Sequence, residues 1–178
     1  MDRMIRRMTE GNIMSRVLAT VVLMTMLTCG AGAETVFTAT KGPGCKDSSK
    51  PEFGDWTCPA PGGYSVRFFD EGNLVGLTIG PSGFIRTATV TSQWLGSGKV
   101  FGDKVQWTVR GGAPKAAVIR IWRRKSPQDD TEIQELAVFA INDRTVCPYA
   151  NIDIHSPNAN ETAAREAEAA ADWYCTEK

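Results

Sequence analysis

The sequence predicts an α+β fold: mainly an antiparallel β meander or small barrel, with one C-terminal helix and disulfide staples. Three observations predict it. Short segments that alternate apolar and polar residues follow one another from residue 64 to residue 141, with turn-forming residues between them. The chain then changes to a stretch rich in Ala and Glu. Four cysteines, at positions 45, 58, 147 and 175, follow an N-terminal export pattern.

The N-terminal pattern comes first. Arg3, Arg6, Arg7 and Arg16 precede an apolar stretch over residues 17–27, and Ala31, Gly32 and Ala33 supply small residues before Glu34. A positive segment, a short apolar run and a small-residue cleavage site make a signal peptide. Residues 1–33 are expected to be removed, leaving 34–178 as a single exported domain. Thr20, Thr25 and Thr28 interrupt the apolar run, which is shorter than the roughly 20 residues a spanning helix needs. Membrane contact is therefore expected only during export. Cys29 follows Thr28 rather than the small residue of a lipoprotein signal, and Met14 before Arg16 offers an alternative start.

From Glu34 on, 16 basic residues stand against 18 acidic ones, a net charge of −2. That balance argues against nucleic acid as a partner. An even cysteine count behind an export signal predicts disulfides, since an oxidising compartment makes and keeps them. Four cysteines allow three connectivities. The pairing in which each bridge brackets one local unit is Cys45 with Cys58 and Cys147 with Cys175. Close C-x2-C pairs are missing, and neither a zinc site nor any cofactor is expected.

The elements follow in order. Residues 35–40 alternate weakly and predict an opening strand. Residues 41–63 are so dense in Gly, Pro, Asp and Ser that they predict a cysteine-stapled loop. YSVRFF, LVGLTIG, FIRTATV, KVFGDKVQWTVR, AAVIRIWRR and EIQELAVFAI predict six consecutive strands, with EGN, GPSG, GSG and RGGAPK as their turns. Within the fourth strand segment, FGDK also reads as a tight reversal. The segment SPNANETAAREAEAAADWYC predicts a terminal helix at about 158–175, with Asn158 and Glu161 spaced as a capping box and Glu161 and Arg165 as an i,i+4 pair.

Catalytic motifs are missing: there is no G-x-S-x-G, H-E-x-x-H, Walker loop or dinucleotide fingerprint. His155 is the one histidine, beside Asp153, and reads as a structural or surface residue before it reads as a general base. Asp129, Asp130 and Glu132 lack the spacing of a calcium loop. Asp129, Asp130 and Asp153 are the carboxylates that an enzyme acting on cell-wall glycans would use. Arg120, Arg123, Arg124 and Lys125, with Trp122 among them, form a basic patch at a strand end. The plain reading is a charged strand that discourages edge pairing. The functional one is a binding patch for an anionic glycan or an acidic protein surface, as an envelope or host-interaction protein would carry.

The stretch LGSGKVFGDKVQW presents Ser97, Lys99 and Phe101 as a second binding candidate. From residue 56 to residue 111 the order of features resembles the small periplasmic inhibitors of c-type lysozyme. Ser97, Gly98 and Phe101 match that family's S-G-x-x-aromatic loop, Trp107 its tryptophan, and Arg110 with Gly111 its basic-Gly pair. Lys99 and Val100 depart from the family's usual Ala and Arg, and Arg110 stands for a lysine. The resemblance implies a β-barrel whose loop serine and basic residue enter the lysozyme cleft. The tail from Cys147 to Cys175 is similar to that of small exported proteobacterial proteins of unassigned function. Together these observations predict a non-catalytic exported binding protein of the bacterial envelope, periplasmic or secreted, with a protein partner such as a c-type lysozyme or an anionic glycan.

Overall fold

A computed structural model describes residues 32–71, 74–81, 90–93, 100–126, 128–142 and 145–175. Most of the signal-peptide segment, most of the predicted strand at 84–90, and Ser97 and Lys99 lie outside these residues. In chain order the strands are β1 (Glu34–Ala39), β2 (Lys46–Asp47), β3 (Gly54–Pro59), β4 (Tyr64–Glu71), β5 (Leu74–Pro81), β6 (Val90–Gln93), β7 (Phe101–Arg110), β8 (Ala113–Ser126), β9 (Asp129–Asn142) and β10 (Thr145–Asp153). One helix, α1 (Ala159–Ala170), follows them.

The strands form two antiparallel sheets, ordered β2-β3-β4-β5-β6 and β1-β7-β8-β9-β10. Each is a meander, except that β1 crosses to pair with β7 in the second sheet. Both sheets keep two open edges, so the barrel alternative is not realised. The physical reason lies in the core. Val66, Phe68, Leu77 and Ile79 of the first sheet pack face to face with Val105, Trp107, Ile119 and Phe139 of the second, which makes a sandwich.

The second sheet is buried on both faces. Ala117, Ile119 and Ile121 of β8 face the sandwich core, whereas Ala116 and Val118 face α1. β9 repeats the pattern, with Ala137, Phe139 and Ile141 against Leu136, Val138 and Ala140. That is why LAVFAI is an unbroken apolar run rather than an alternating one. Ala159, Ala163, Ala167 and Ala170 make the buried stripe of the helix. Their small side chains let the helix backbone approach the sheet, but each contributes little apolar burial.

Three local expectations are corrected. The stapled loop contains a six-residue strand, β3, because Trp56 pairs opposite Phe68 and Cys58 opposite Val66 on the inward face. Tertiary pairing there overrides the turn-rich composition. The FGDK segment is a bulge and not a reversal: Phe101 pairs with Ile121 and Val105 with Ile119, so β7 carries two extra residues over that interval. Thr40 clamps the bulge from β1's end, its N–H reaching the Asp103 carbonyl at 3.1 Å and its hydroxyl the Gly102 carbonyl at 2.6 Å. The helix is shorter than predicted, ending at Ala170. Asn158 lies in the left-handed region (φ 56°) without a side-chain cap. A turn in which the Ser156 N–H meets the Asp153 carbonyl at 3.0 Å leads into the helix instead.

Both predicted disulfides are present, Cys45 to Cys58 and Cys147 to Cys175. The second ties the tail beyond α1 back to β10. Asn142 secures the same tail, its Nδ2 donating to the Trp173 carbonyl at 2.9 Å and its Oδ1 accepting from the Cys175 N–H at 2.8 Å. Bridges of this kind persist in an oxidising environment. Among the described residues no helix is long and apolar enough to cross a membrane.

Candidate functional site

Helix α1 packs on β8, β9 and β10, and among the described residues no element packs on the β1 and β7 side of the same sheet face. The step from helix to bare sheet creates an open cleft of about 360 Å³. Phe37, Gln106 and Val118 cross its floor as register partners on β1, β7 and β8. Arg120 and Trp122 continue along β8, and Asn160 and Ala163 of the helix form the wall. The bulge contributes Gly102, Asp103 and Lys104 to the rim.

Alternation along β8 explains the grouping. Arg120 and Trp122 share the outward parity of Val118, while Ile119, Ile121 and Arg123 take the other face. Phe37 has the opposite parity from its neighbour Val36, which packs on the core, and stays 58% exposed. Gly102 is required by proximity: a Cβ there would stand 2.9 Å from the Arg120 Cβ.

The predicted basic patch is divided by its own carboxylates. Arg123 makes a two-point contact with Glu135, at 2.7 and 3.0 Å. Arg124 Nε lies 2.9 Å from Asp130, and Lys125 Nζ 3.6 Å from Asp129. Arg120 differs. Among the described residues it meets no carboxylate within ion-pair distance, and its guanidinium instead lies 6.0 Å from the Trp122 ring centroid. A guanidinium over an indole is attracted to the ring face and still presents its N–H groups sideways. The cleft therefore holds a charged donor that meets no carboxylate among the described residues.

The loop candidates fare differently. Ser97 and Lys99 lie outside the described residues. Phe101 turns inward and packs 5.1 Å from Phe68, leaving it 9% exposed, so it presents almost no surface to a partner. Trp107 is fully buried, with its Nε1 donating to Thr38 Oγ1 at 2.8 Å. Arg110 is engaged by the helix: Nη1 meets Asp172 at 2.6 Å and Nη2 meets Glu168 at 3.1 Å. Glu168 and then Asp172 favour its charged form further. Its role here is to hold the end of α1 against the β7–β8 hairpin, whose Gly111 and Gly112 both take positive φ.

Of the carboxylates considered for catalysis, Asp153 lies far from the neighbours Asp129 and Asp130. Asp129 accepts the Thr131 N–H at 3.0 Å, and hydrogen bonds from the Thr131 side chain and then its N–H hold the carboxyl below the usual range. Asp153 accepts the backbone N–H of His155 at 2.9 Å, a turn contact that leaves the imidazole out. Asp153 pairs in register with Glu135, about 20 Å along β9 from Asp129 at ~3.3 Å per residue. A glycosidase pair needs its carboxyls within about 10 Å. Among the described residues no three His, Cys, Asp or Glu side chains converge as metal ligands would.

Sequence reasoning found Arg120 and Trp122 but not Phe37, Gln106 or Asn160. The available signal was the adjacent pair Val36 and Phe37, which in a single strand cannot both face one core. Comparison with known proteins finds no matching family model, no similar curated protein and no similar solved structure.

Proposed function

We propose that this chain is a non-catalytic binding protein of the bacterial cell envelope, periplasmic or secreted, that takes its ligand in the cleft beside α1. The observation that carries the reading is Arg120: its guanidinium lines the cleft over the Trp122 ring, 6.0 Å from the centroid, and meets no carboxylate among the described residues. Aromatic and apolar walls with a few converging polar groups are the usual make-up of a ligand site. The export pattern at residues 1–33 and the two disulfides support the compartment.

The test is a nuclear magnetic resonance titration of the purified, disulfide-intact protein. Envelope components are added in separate fractions: soluble wall glycans, wall peptides, and proteins including a c-type lysozyme. The Gly102 amide and the Trp122 indole N–H should shift together with one fraction and should stay still in Arg120→Ala. Shifts confined to residues elsewhere would overturn the cleft as the site.

Lysozyme inhibition is the narrower form that the resemblance of residues 56–111 implies. Its loop serine, Ser97, is the residue that tests it, because Arg110 is already held by Glu168 and Asp172. Inhibition of wall lysis that Ser97→Ala relieves would support this form; no inhibition at micromolar concentration would exclude it.

A further inference from the structure

We infer that the ligand of the cleft is an acidic oligosaccharide, bound with one carboxylate on Arg120 and its sugar rings on Phe37 and Trp122; the inference rests on the cleft being the binding site. Three features of the cleft select this chemistry. The first is charge. Arg120 places one guanidinium among the residues lining the cleft, which suits a single carboxylate. A guanidinium fork also matches the two oxygens of a carboxylate.

The second feature is the pair of aromatic residues. Phe37 pairs with Gln106 and Gln106 with Val118, so Phe37 lies two strands from Val118, while Trp122 lies four residues further along β8. With strands about 4.8 Å apart and ~3.3 Å per residue, the two rings mark ends of the cleft roughly 15 Å apart, with Arg120 between them. That is about the length of three linked sugar rings. Each pyranose has an apolar C–H face that an aromatic ring lining a cleft can cover; Phe37 is exposed and Trp122 half-buried. The third is the amides. Gln106 on the floor and Asn160 on the wall carry both donors and acceptors. Hydroxyls can satisfy both kinds, whereas an acyl chain of the same length would bury the amides without partners, at a cost.

The experiment titrates the disulfide-intact protein with trigalacturonate, with neutral galactotriose, and with hexanoate as a carboxylate without sugar. The expected result is that trigalacturonate binds at least tenfold more tightly than either of the others, and that Arg120→Ala removes at least that factor. Phe37→Ser, at an exposed edge position where folding is not at risk, should weaken trigalacturonate severalfold. Comparable affinity for galactotriose or for hexanoate would overturn the inference, as would undiminished binding in Phe37→Ser and Arg120→Ala together. If wall peptides or a protein move the Gly102 and Trp122 signals while trigalacturonate does not, the saccharide class falls and the cleft remains a binding site. If no probe moves them, both fall.

Discussion

Gly102 stands so close to Arg120 that a methyl group at position 102 would lie 2.9 Å from the Arg120 Cβ. The contact joins the bulge in β7 to the floor of the cleft. Gly102→Ala should therefore force the two strands apart, destabilise the protein by about 1–2 kcal/mol, and move the Trp122 indole N–H signal. Thermal unfolding and the proton spectrum check the two effects; an unmoved indole would show that the bulge does not hold Arg120 in place.

The bridge from Cys147 to Cys175 closes a separation of 28 residues that includes the whole helix. On the loop-closure account its loss should cost about 3–4 kcal/mol. Replacing both cysteines with serine is expected to lower the unfolding free energy by that amount, read as a fall in the denaturant midpoint. Amide exchange should quicken in α1 first while β7, β8 and β9 stay protected, because the alanine stripe alone buries little.

Asn142 binds the tail at two points, the Trp173 carbonyl and the Cys175 N–H. Asn142→Ala should cost about 1–3 kcal/mol. Asn142→Asp retains an acceptor for Cys175 and loses the donor for Trp173, so its denaturant midpoint should fall between those of the wild type and the alanine variant.

Arg110 bridges Glu168 and Asp172 at the surface. Ion pairs in that setting are screened, and Arg110→Ala should lower the melting temperature by less than about 3 °C, with the difference shrinking at high salt. Should the wild type inhibit a c-type lysozyme, loss of that inhibition in the variant while α1 stays docked by amide exchange would give Arg110 a role beyond holding the helix.

The outer face of the first sheet carries a two-point pair between Arg67 and Asp55, at 2.8 and 2.9 Å. The Arg67 hydrogen bonds hold the Asp55 carboxyl below the usual carboxylate range. A folded-state pKa below the unfolded one means that the contribution is complete above the ordinary carboxylate range and is lost as pH falls through the lowered value. Urea midpoints of the wild type and Asp55→Asn, measured between about pH 6 and pH 2, should converge toward the acid end. A constant gap would show that the pair contributes nothing through titration.

Much of this architecture was legible in local chemistry. The Gly111-Gly112 turn, the alternating strand at residues 64–69 and the alanine-rich helix each follow from residues close in the chain, because turn dihedrals, strand period and helix propensity are short-range properties. What local chemistry could not decide was which faces meet. The cysteine-rich segment contains β3 because Trp56 and Cys58 find partners on β4. Phe101 belongs to the core because the bulge turns it toward Phe68.

The sequence by itself therefore determined the class of fold, most of the strands of residues 64–141, the terminal helix and the export pattern, and it favoured one of three cysteine pairings. Only the tertiary structure decided that the strands form two open sheets and how a basic cluster of near neighbours is divided. Arg123 takes the opposite face of β8 from Arg120 and meets Glu135, Arg124 shares the face of Arg120 but lies at the β8–β9 turn beside Asp130, and Arg120 was left beside Trp122 in a cleft completed by Phe37, some 80 residues earlier in the chain. Charges close in sequence look alike on paper. Their fates separate because strand alternation chooses the face and position along the strand chooses the neighbours, and both depend on distant parts of the chain.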